Sequence, residues 1–339
     1  MSKSLNVAIN GLGRIGRTVF RQILGNSNFN LVAVNSRSPI ETYAHLIKYD
    51  SLYGVWDKEI GVDGENFVID GQKIKMLHED DPANLPWKDL GVDLVIEATG
   101  VFRKRKDCEK HLSAGAKRVL ISAPAKGDDI KTIIAGVNEK DYDSEKDTII
   151  SATSCTTTCL APICKVLHKT YGIKHGFMTT IHSYTNDQNL HDAPHKKDDL
   201  RRSRAAGESI IPTTTGASEA VAKVIPELKG KLKGISLRVP TITVSVVDLV
   251  CEIEKDTDIE SLNQTFKDAA KGEMKGVLDV SDLPLVSIDY RGNSYASTVD
   301  ALSTDVLNKR LIKIIAWYDN EWGYAYNMMK LVEYIGEKE

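Results

Sequence analysis

The chain has 339 residues, 42% hydrophobic and 27% charged, with a formal net charge of −3. That length suits two domains with full cores, and the near-neutral balance gives no general pull toward nucleic acid or an anionic membrane surface. No apolar run approaches the roughly 20 residues of a bilayer-spanning helix, the N-terminus does not read as a secretory signal, and five cysteines without regular spacing argue against a disulfide framework and for a reducing, cytoplasmic setting.

Residues 5–10, LNVAIN, are a short apolar run ending at glycine, the pattern of a buried parallel strand. Residues 11–25 follow with Ile15, Val19, Ile23 and Leu24 at helical spacing. A second strand is expected at 29–35 and a second helix at 39–49. Two alternating stretches around DGENFVIDGQKIKML, within 53–79, predict hairpins added to the sheet. Further strands are expected at 92–97, 118–122, 132–135 and 148–151, with a charged helix at about 104–114. Strands alternating with helices predict an α/β domain with a Rossmann-like, doubly wound parallel sheet.

Beyond Cys155 the rhythm changes. An apolar-faced helix is expected at 159–171, long strands at 175–184 and 234–254, and helices at 218–228 and 259–274. A late strand at 311–318 and a helix at 322–337 close the chain. Alternation in SLRVPTITVSVVDLVCE, 236–252, suits a mainly antiparallel sheet with one exposed face. The expected division is a dinucleotide-binding domain over 1–153 and an α+β catalytic domain over 154–319. The charged stretch 185–212 is long enough to be a functional loop.

The motif Gly11-Leu12-Gly13-Arg14-Ile15-Gly16 falls between the first strand and the first helix. Its glycines permit a tight turn, close approach of a pyrophosphate and close helix–strand packing, and the helix N-terminus favours phosphate charge. The second strand ends in Val34-Asn35-Ser36-Arg37-Ser38, without the acid that would bind the ribose 2′-hydroxyl of NAD. A 2′-phosphate would meet less repulsion at Ser36 and gain a charged hydrogen bond from Arg37, which favours NADP. NAD, or use of both, stays open, and Arg37 also reads as an ordinary solvated residue.

Within SATSCTTTCLAP, residues 151–162, Cys155 follows a predicted strand and opens a predicted helix. That position lowers a thiol's pKa through the helix dipole and its free N–H groups. His182, at the end of a predicted strand, is a candidate base. Cys155 and Cys159 also have the spacing of half a metal site, but no second pair of ligands supports one, so no metal is expected. Cys159, Cys164 and Cys251 read as buried apolar residues. The run TTTGAS, 213–218, offers hydroxyls and N–H groups ahead of a helix. Arg201, Arg202 and Arg204 form a basic run diluted by Asp192, Asp198, Asp199 and Glu208, so nucleic acid is not the expected partner. Arg238, inside an apolar strand, needs a partner and is the stronger anion-binding candidate.

Taken together, NGLGRIGR, IKYDSLYG, DPANLPW, ATGVF, ISAPAKG, SCTT-CLAP, HSYTNDQ, IIPTTTGA, LRVPTITVSVVDL and WYDNEWGY carry a resemblance over essentially the whole chain. The sequence resembles phosphorylating glyceraldehyde-3-phosphate dehydrogenases. The resemblance implies that Cys155 is the nucleophile and His182 its base. A hemithioacetal, a hydride transfer and a thioester would follow, and inorganic phosphate would release 1,3-bisphosphoglycerate from D-glyceraldehyde 3-phosphate. The Cys155 N–H and the His182 ring would steady the oxyanion. By the same resemblance, Thr185 and Arg238 would hold the substrate's phosphate, and Ser154, Thr156, Arg202, Thr215 and Gly216 substrate or attacking phosphate. Arg14, Ile15, Thr99, Ser122 and Asn320 match cofactor contacts, with Asn320 on the carboxamide. It further implies a homotetramer, a C-terminal helix at about 320–339 returning to the first domain, and a 185–212 loop reaching toward a neighbouring subunit's cofactor.

Several positions depart from the family pattern. Ser36 replaces the usual acid and Ala193 the usual leucine before Pro194, both toward NADP-using members. HKKDDLRR is two residues longer than usual, Asp80 stands where a basic residue is common, and Ala152 and Thr158 replace asparagines flanking the cysteine. Alternatives are an erythrose-4-phosphate dehydrogenase, a weakly active nucleotide-binding regulatory paralogue, and a Cys–His hydrolase. The intact TTTGA loop and Thr185 favour the first reading, and the glycine loop with Asn320 argues against the last.

Overall fold

The computed structural model describes residues 4–338. The chain divides into two compact units. One holds the residues up to Ala135, Glu139–Thr153 and the chain from Met328 on; the other holds Gly136–Asn138 and Ser154–Asn327.

In the first unit, β1 (Leu5–Asn10), α1 (Arg14–Ile23), β2 (Phe29–Asn35) and α2 (Ile40–Lys48) form the opening βαβα run. β3 (Tyr49–Asp50) and β4 (Gly54–Val55) pair as a small ribbon, and β5 (Gly61–Asp63), β6 (Asn66–Ile69) and β7 (Gln72–Leu77) follow. β8 (Leu94–Glu97), α3 (Arg105–Ser113), β9 (Arg118–Ile121), β10 (Lys131–Thr132) and β11 (Ile149–Ser151) complete the unit's strands among the described residues. The sheet order is β10-β11-β9-β8-β1-β2-β7-β6-β5. It is parallel from β10 to β7, and β7, β6 and β5 form an antiparallel meander at one edge. The hairpins expected at 53–79 are therefore present, but β7 also extends the parallel sheet beside β2. The strand expected at 132–135 shrinks to Lys131–Thr132. Its ladder ends where Ile133 N–H reaches the Ser151 carbonyl, and Gly136 then turns at φ +79°.

β1 lies between β2 and β8, so connections leave its two sides in opposite directions. The carboxyl end of such a strand is where open α/β sheets bind ligands. Beneath it the polar groups are satisfied internally. Glu97, 1% exposed, accepts from Asn10 Nδ2 (2.6 Å) and Thr99 N–H (2.9 Å) and lies 3.2 Å from His111 Nε2. Trp87, fully buried, donates to His111 Nδ1 at 3.0 Å. Such a network holds buried polar atoms without an unmet bond.

The second unit opens with α4 (Cys155–Tyr171), β12 (Ile173–Ser183), β13 (Ile211–Thr214) and α5 (Ala217–Val224). β14 (Leu232–Val239), β15 (Ser245–Ile253) and α6 (Ile259–Lys271) follow. β16 (Leu278–Ser281), β17 (Ser297–Asp300), β18 (Asp305–Leu307) and β19 (Leu311–Tyr318) come next, and α7 (Trp322–Gly336) runs from this unit into the first. The order is β13-β14-β12-β15-β19-β17-β16, with β18 on β19. Pairing is mainly antiparallel, but β12·β14 and β16·β17 are parallel.

The stretch 234–254, expected to hold long strands, carries β14 and β15 with a break between them. Pro240 brings no N–H to a ladder, and Val244 adopts φ +68°, which breaks the extended run before β15. Pro226 likewise ends α5 early and opens a separate 3-10 turn, Pro226–Leu228. Alternation along β12 buries Met178, Thr180 and His182 on one face and exposes Phe177, 70% accessible, on the other. The buried face lies against α4, whose Thr156 meets Thr180 through a shared partner, Tyr318.

Candidate active site

In the first unit the glycine loop has two crowded positions and one open one. Gly11 sits at φ +100°, and a Cβ there would lie 2.8 Å from Thr99 N. A Cβ on Gly16 would lie 1.9 Å from the Gly11 carbonyl oxygen. A Cβ on Gly13 would meet nothing within 4 Å. Gly13 is also the N-cap of α1, and no side chain caps that helix. The open glycine beside uncapped N–H groups is the cradle a pyrophosphate fills, so the residues fit a dinucleotide.

Within the same unit, Arg14 and Ile15 open α1, and Ser36, Thr99 and Ser122 follow the carboxyl ends of β2, β8 and β9. The Arg14 guanidinium is committed to Asp50 (Nη1–Oδ2 2.5 Å, Nη2–Oδ1 3.2 Å), which leaves its backbone, with that of Ile15, at the helix start. Thr99 is anchored on Glu97 by its N–H and its hydroxyl. Ser122 N–H reaches the Glu97 carbonyl at 3.0 Å. Ser36 Oγ lies 2.5 Å from Tyr43 Oη and accepts from Leu12 N–H at 3.4 Å. Arg37 is not a free cation: its Nε contacts Asp80 Oδ1 at 2.7 Å, with both side chains largely exposed.

In the second unit, sheet register assembles the thiol site. His182 and Arg238 are direct partners in β12 and β14, and Ser245 pairs with Tyr318 across β15 and β19. Cys155 is the first residue of α4. Its Sγ lies 3.4 Å from His182 Nε2. Ser154 caps the helix, its hydroxyl accepting from Thr157 N–H at 3.2 Å. Just before it, Thr153 takes φ +60°, the left-handed region that non-glycine residues seldom adopt.

Burial dominates the electrostatics of the pair. Burial pushes the Cys155 thiol up, opposed by the Arg238 charge and by hydrogen bonds at the helix start. Burial, then the Arg238 charge, pushes His182 down to about 3. The ring is thus neutral at rest and able to accept a proton. His182 Nδ1 lies 2.7 Å from the Ser183 carbonyl oxygen. Arg238 Nη1 lies 3.0 Å from that oxygen and 2.7 Å from Nδ1. Arg238 Nε is buried with no acceptor. A buried unpaired donor beside a nucleophile fits an anion.

The phosphate candidates divide. Arg202 reaches Thr213 Oγ1 with Nε (3.1 Å) and Nη2 (2.6 Å), and its Nη1 contacts Asp187, which Lys196 also meets at 3.2 Å. Thr215 Oγ1 accepts from Ala217 N–H at 3.2 Å, and Gly216 is the N-cap of α5. Thr185 begins the loop after β12, its carbonyl accepting from Gln188 N–H. Thr156 Oγ1 is turned to Tyr318 at 2.9 Å, so it is not directed at a ligand in this arrangement. Cys159 is fully buried, with Ser297 Oγ at 3.5 Å and its thiol pushed up to about 12 by burial. Among the described residues no group of three or more His, Cys, Asp and Glu is placed to hold a metal.

Three participants escaped sequence reasoning. Tyr318 joins Thr156 and Thr180, 2.9 Å from each hydroxyl, with its ring edge-on to His182. Ser183 and Ser245 tie the end of β12 to the start of β15, and Ser245 Oγ is 2.9 Å from Asn320 Oδ1. Alternation in Leu311–Tyr318 marks Tyr318 as buried, but only cross-strand register shows what it touches.

Comparison with known proteins matches two family models: the NAD binding domain of glyceraldehyde 3-phosphate dehydrogenase at residues 5–105, and its C-terminal domain at residues 154–320. The chain is 56% identical over 335 residues to glyceraldehyde-3-phosphate dehydrogenase of Geobacillus stearothermophilus, covering 99% of both chains. It is 53% identical to glyceraldehyde-3-phosphate dehydrogenase 2 of a Nostoc species, covering 98% of this chain and 99% of the relative. It is 51% identical to the chloroplastic glyceraldehyde-3-phosphate dehydrogenase A of Chlamydomonas reinhardtii, covering 99% of this chain and 90% of the relative.

Proposed function

The chain belongs to the glyceraldehyde-3-phosphate dehydrogenase family of oxidoreductases, and from that premise we propose how its own residues oxidise and phosphorylate glyceraldehyde 3-phosphate. The supporting observation is the contact of Cys155 Sγ with His182 Nε2 at 3.4 Å, on a helix N-terminus, beside the open donor of Arg238. We assign residues 1–153 to cofactor binding and 154–319 to catalysis, with Cys155 and His182 as the catalytic pair.

Arg238 and Thr185 receive the substrate's phosphate. A phosphate drawing on the guanidinium leaves the Ser183 carbonyl to His182 Nδ1–H, and Nε2 then takes the thiol proton. Sγ bonds to the aldehyde carbon. The oxyanion faces the Cys155 N–H, a first-turn amide that no helical carbonyl accepts, and the His182 ring. A nicotinamide cofactor, when bound, would supply the hydride acceptor. The protonated His182 ring gives its proton to the oxyanion, forming the hemithioacetal hydroxyl, and the neutral ring then takes that hydroxyl proton back as the carbon–hydrogen electron pair leaves as hydride, so a thioester remains on Cys155. Inorganic phosphate, held by Arg202, Thr215 and Gly216 with Ser154 and Thr156 nearby, attacks that carbonyl. The carbon–sulfur bond breaks, and 1,3-bisphosphoglycerate leaves with the thiolate restored.

The cofactor assignment goes further than the NAD binding domain that the family model names. We favour NADP, with NAD also used. Ser36 removes the acid that would repel a 2′-phosphate. The Arg37–Asp80 pair is exposed on both sides, so it is weak and a 2′-phosphate can compete for Arg37. We further propose a homotetramer in a reducing, cytoplasmic setting. The outward face of the second sheet carries Phe177, 70% exposed, and Ile235, 43% exposed, which suits burial against another copy. Among the described residues no helix is long and apolar enough to cross a membrane.

The test is turnover of glyceraldehyde 3-phosphate with NADP+ and NAD+ in parallel, with and without phosphate. Phosphate-dependent reduction of both, with NADP+ at the lower KM, is expected. A KM for NAD+ tenfold below that for NADP+ would overturn the cofactor preference. Full turnover without phosphate would indicate a hydrolytic enzyme.

A further inference from the structure

We propose that Ser245 is a positioning residue: it orients the Asn320 side chain so that its N–H groups, not its oxygen, face the nicotinamide carboxamide. This rests on the assignment of Asn320 to the cofactor. Ser245, 1% exposed, is the first residue of β15. Its Oγ lies 3.1 Å from Ser183 N and 2.9 Å from Asn320 Oδ1. A backbone N–H can only donate, so Ser245 Oγ is an acceptor toward Ser183 and has one hydrogen left to give. An asparagine ends in one acceptor and one double donor. Turned the other way, the amide would donate to Oγ and leave the serine hydrogen buried without a partner. The proton order therefore runs from Ser183 N–H to Ser245 Oγ–H to Asn320 Oδ1, and Nδ2 points elsewhere.

Backbone strain at the same place supports a functional role. Val244, β-branched and 2% exposed, sits at φ +68°, and strain of this kind collects where a site demands a particular geometry. In that conformation the Val244 carbonyl accepts from Ser183 Oγ at 2.8 Å. Ser183 Oγ also lies 2.9 Å from Thr241 Oγ1. Ser183 is thus fastened by its N–H to Ser245 and by its hydroxyl to Val244. It is also the residue after His182. The hydroxyl that orients Asn320 is fixed by the strand end that carries the base, so the orientation of the carboxamide and the position of the proton acceptor share one support. Asp319, the residue before Asn320, accepts from Glu321 N–H and Trp322 N–H at 3.0 and 2.9 Å at the turn into α7.

Dissociation constants of the full-length protein, measured by calorimetry, test this. The ligands are NAD+, its 3-acetylpyridine analogue, which keeps the carbonyl oxygen but has methyl for the amine, and its thionicotinamide analogue, which replaces that oxygen by sulfur. The unaltered protein should bind the acetylpyridine analogue within about threefold of NAD+ and the thio analogue about tenfold more weakly. Ser245→Ala should weaken NAD+ about tenfold and erase that preference, Ser245→Thr should keep it, and in an Asn320→Ala background Ser245→Ala should add less than about twofold. Loss of the acetylpyridine analogue by the unaltered protein overturns the proposal, and this comparison needs no variant to fold. So does an unchanged set of constants in Ser245→Ala while Asn320→Ala weakens NAD+. If Asn320→Ala leaves NAD+ binding intact, the assignment of Asn320 falls first, and this inference falls with it.

Discussion

The glycine loop of the first unit and the thiol site of the second both suit anions but are built in opposite ways. The loop works by omission: Gly11 and Gly16 keep backbone segments together, and Gly13 leaves space for a ligand. The thiol site works by convergence: Cys155, His182, Arg238 and Tyr318 come from four elements whose register brings them together. A site made by omission is contiguous in sequence and sensitive to added atoms. A site made by convergence is dispersed and sensitive to removed ones.

The largest effect should come from taking an atom out of the convergent site. Cys155→Ser should lower turnover by about 10⁴-fold or more, because a hydroxyl is a far weaker nucleophile than a thiolate. Cofactor affinity should stay within about threefold, since the loop is untouched; a parallel loss of binding would show that the two sites are not separable. His182→Asn should cost about 10²–10⁴ in kcat, with single-turnover hydride transfer as the readout. The same variant changes the response to acid. The folded ring titrates near 3 and the ordinary value is 6.5, so from pH 6.5 downward the unfolded chain holds a proton the folded chain lacks. Stability should therefore fall as pH drops through that window, and His182→Asn should flatten the fall in urea-unfolding midpoints between pH 7 and pH 4.5.

Adding an atom tests the other region. Gly16→Ala places a carbon where the Gly11 carbonyl already sits, so it should lower both the melting temperature and cofactor affinity. Gly13→Ala has room within the protein, so its melting temperature should hold while the cofactor dissociation constant rises about tenfold to a hundredfold. Equal effects from the two would break the distinction between packing and ligand glycines. The smallest change belongs to Asp80→Asn, which frees Arg37 and should lower the KM for NADP+ about fivefold relative to NAD+. No change in that ratio would remove Arg37 from the cofactor's surroundings.

The same contrast explains what was legible in the sequence. Gly11-x-Gly13-x-x-Gly16 is local, and the βαβ rhythm around it predicts the parallel sheet and its helices closely. Cys155 and His182 were readable as chemistry, and β12 and α4 place them together. Local pattern could not show that Arg37 is tied to Asp80, 43 positions on, nor that Tyr318 and Ser245 lie at the same end of one sheet. Those relations depend on strand order, which residue spacing does not encode. The break between β14 and β15 is hidden from the sequence pattern for a related reason. Apolar alternation continues through 236–252, whereas the ladder is interrupted by Pro240 and by the backbone of Val244.

Thr153 couples stability to the approach of the thiol. It holds a left-handed backbone, φ +60°, immediately before the serine that caps the nucleophile's helix. Glycine adopts that conformation at no steric cost. Thr153→Gly would thus relieve strain in the folded chain while loosening the approach to the thiol, and the two effects would register on different instruments, a calorimeter and a stopped-flow spectrometer. At this position durability and speed draw on the same torsion angle, so a screen for heat resistance alone would select a slower enzyme.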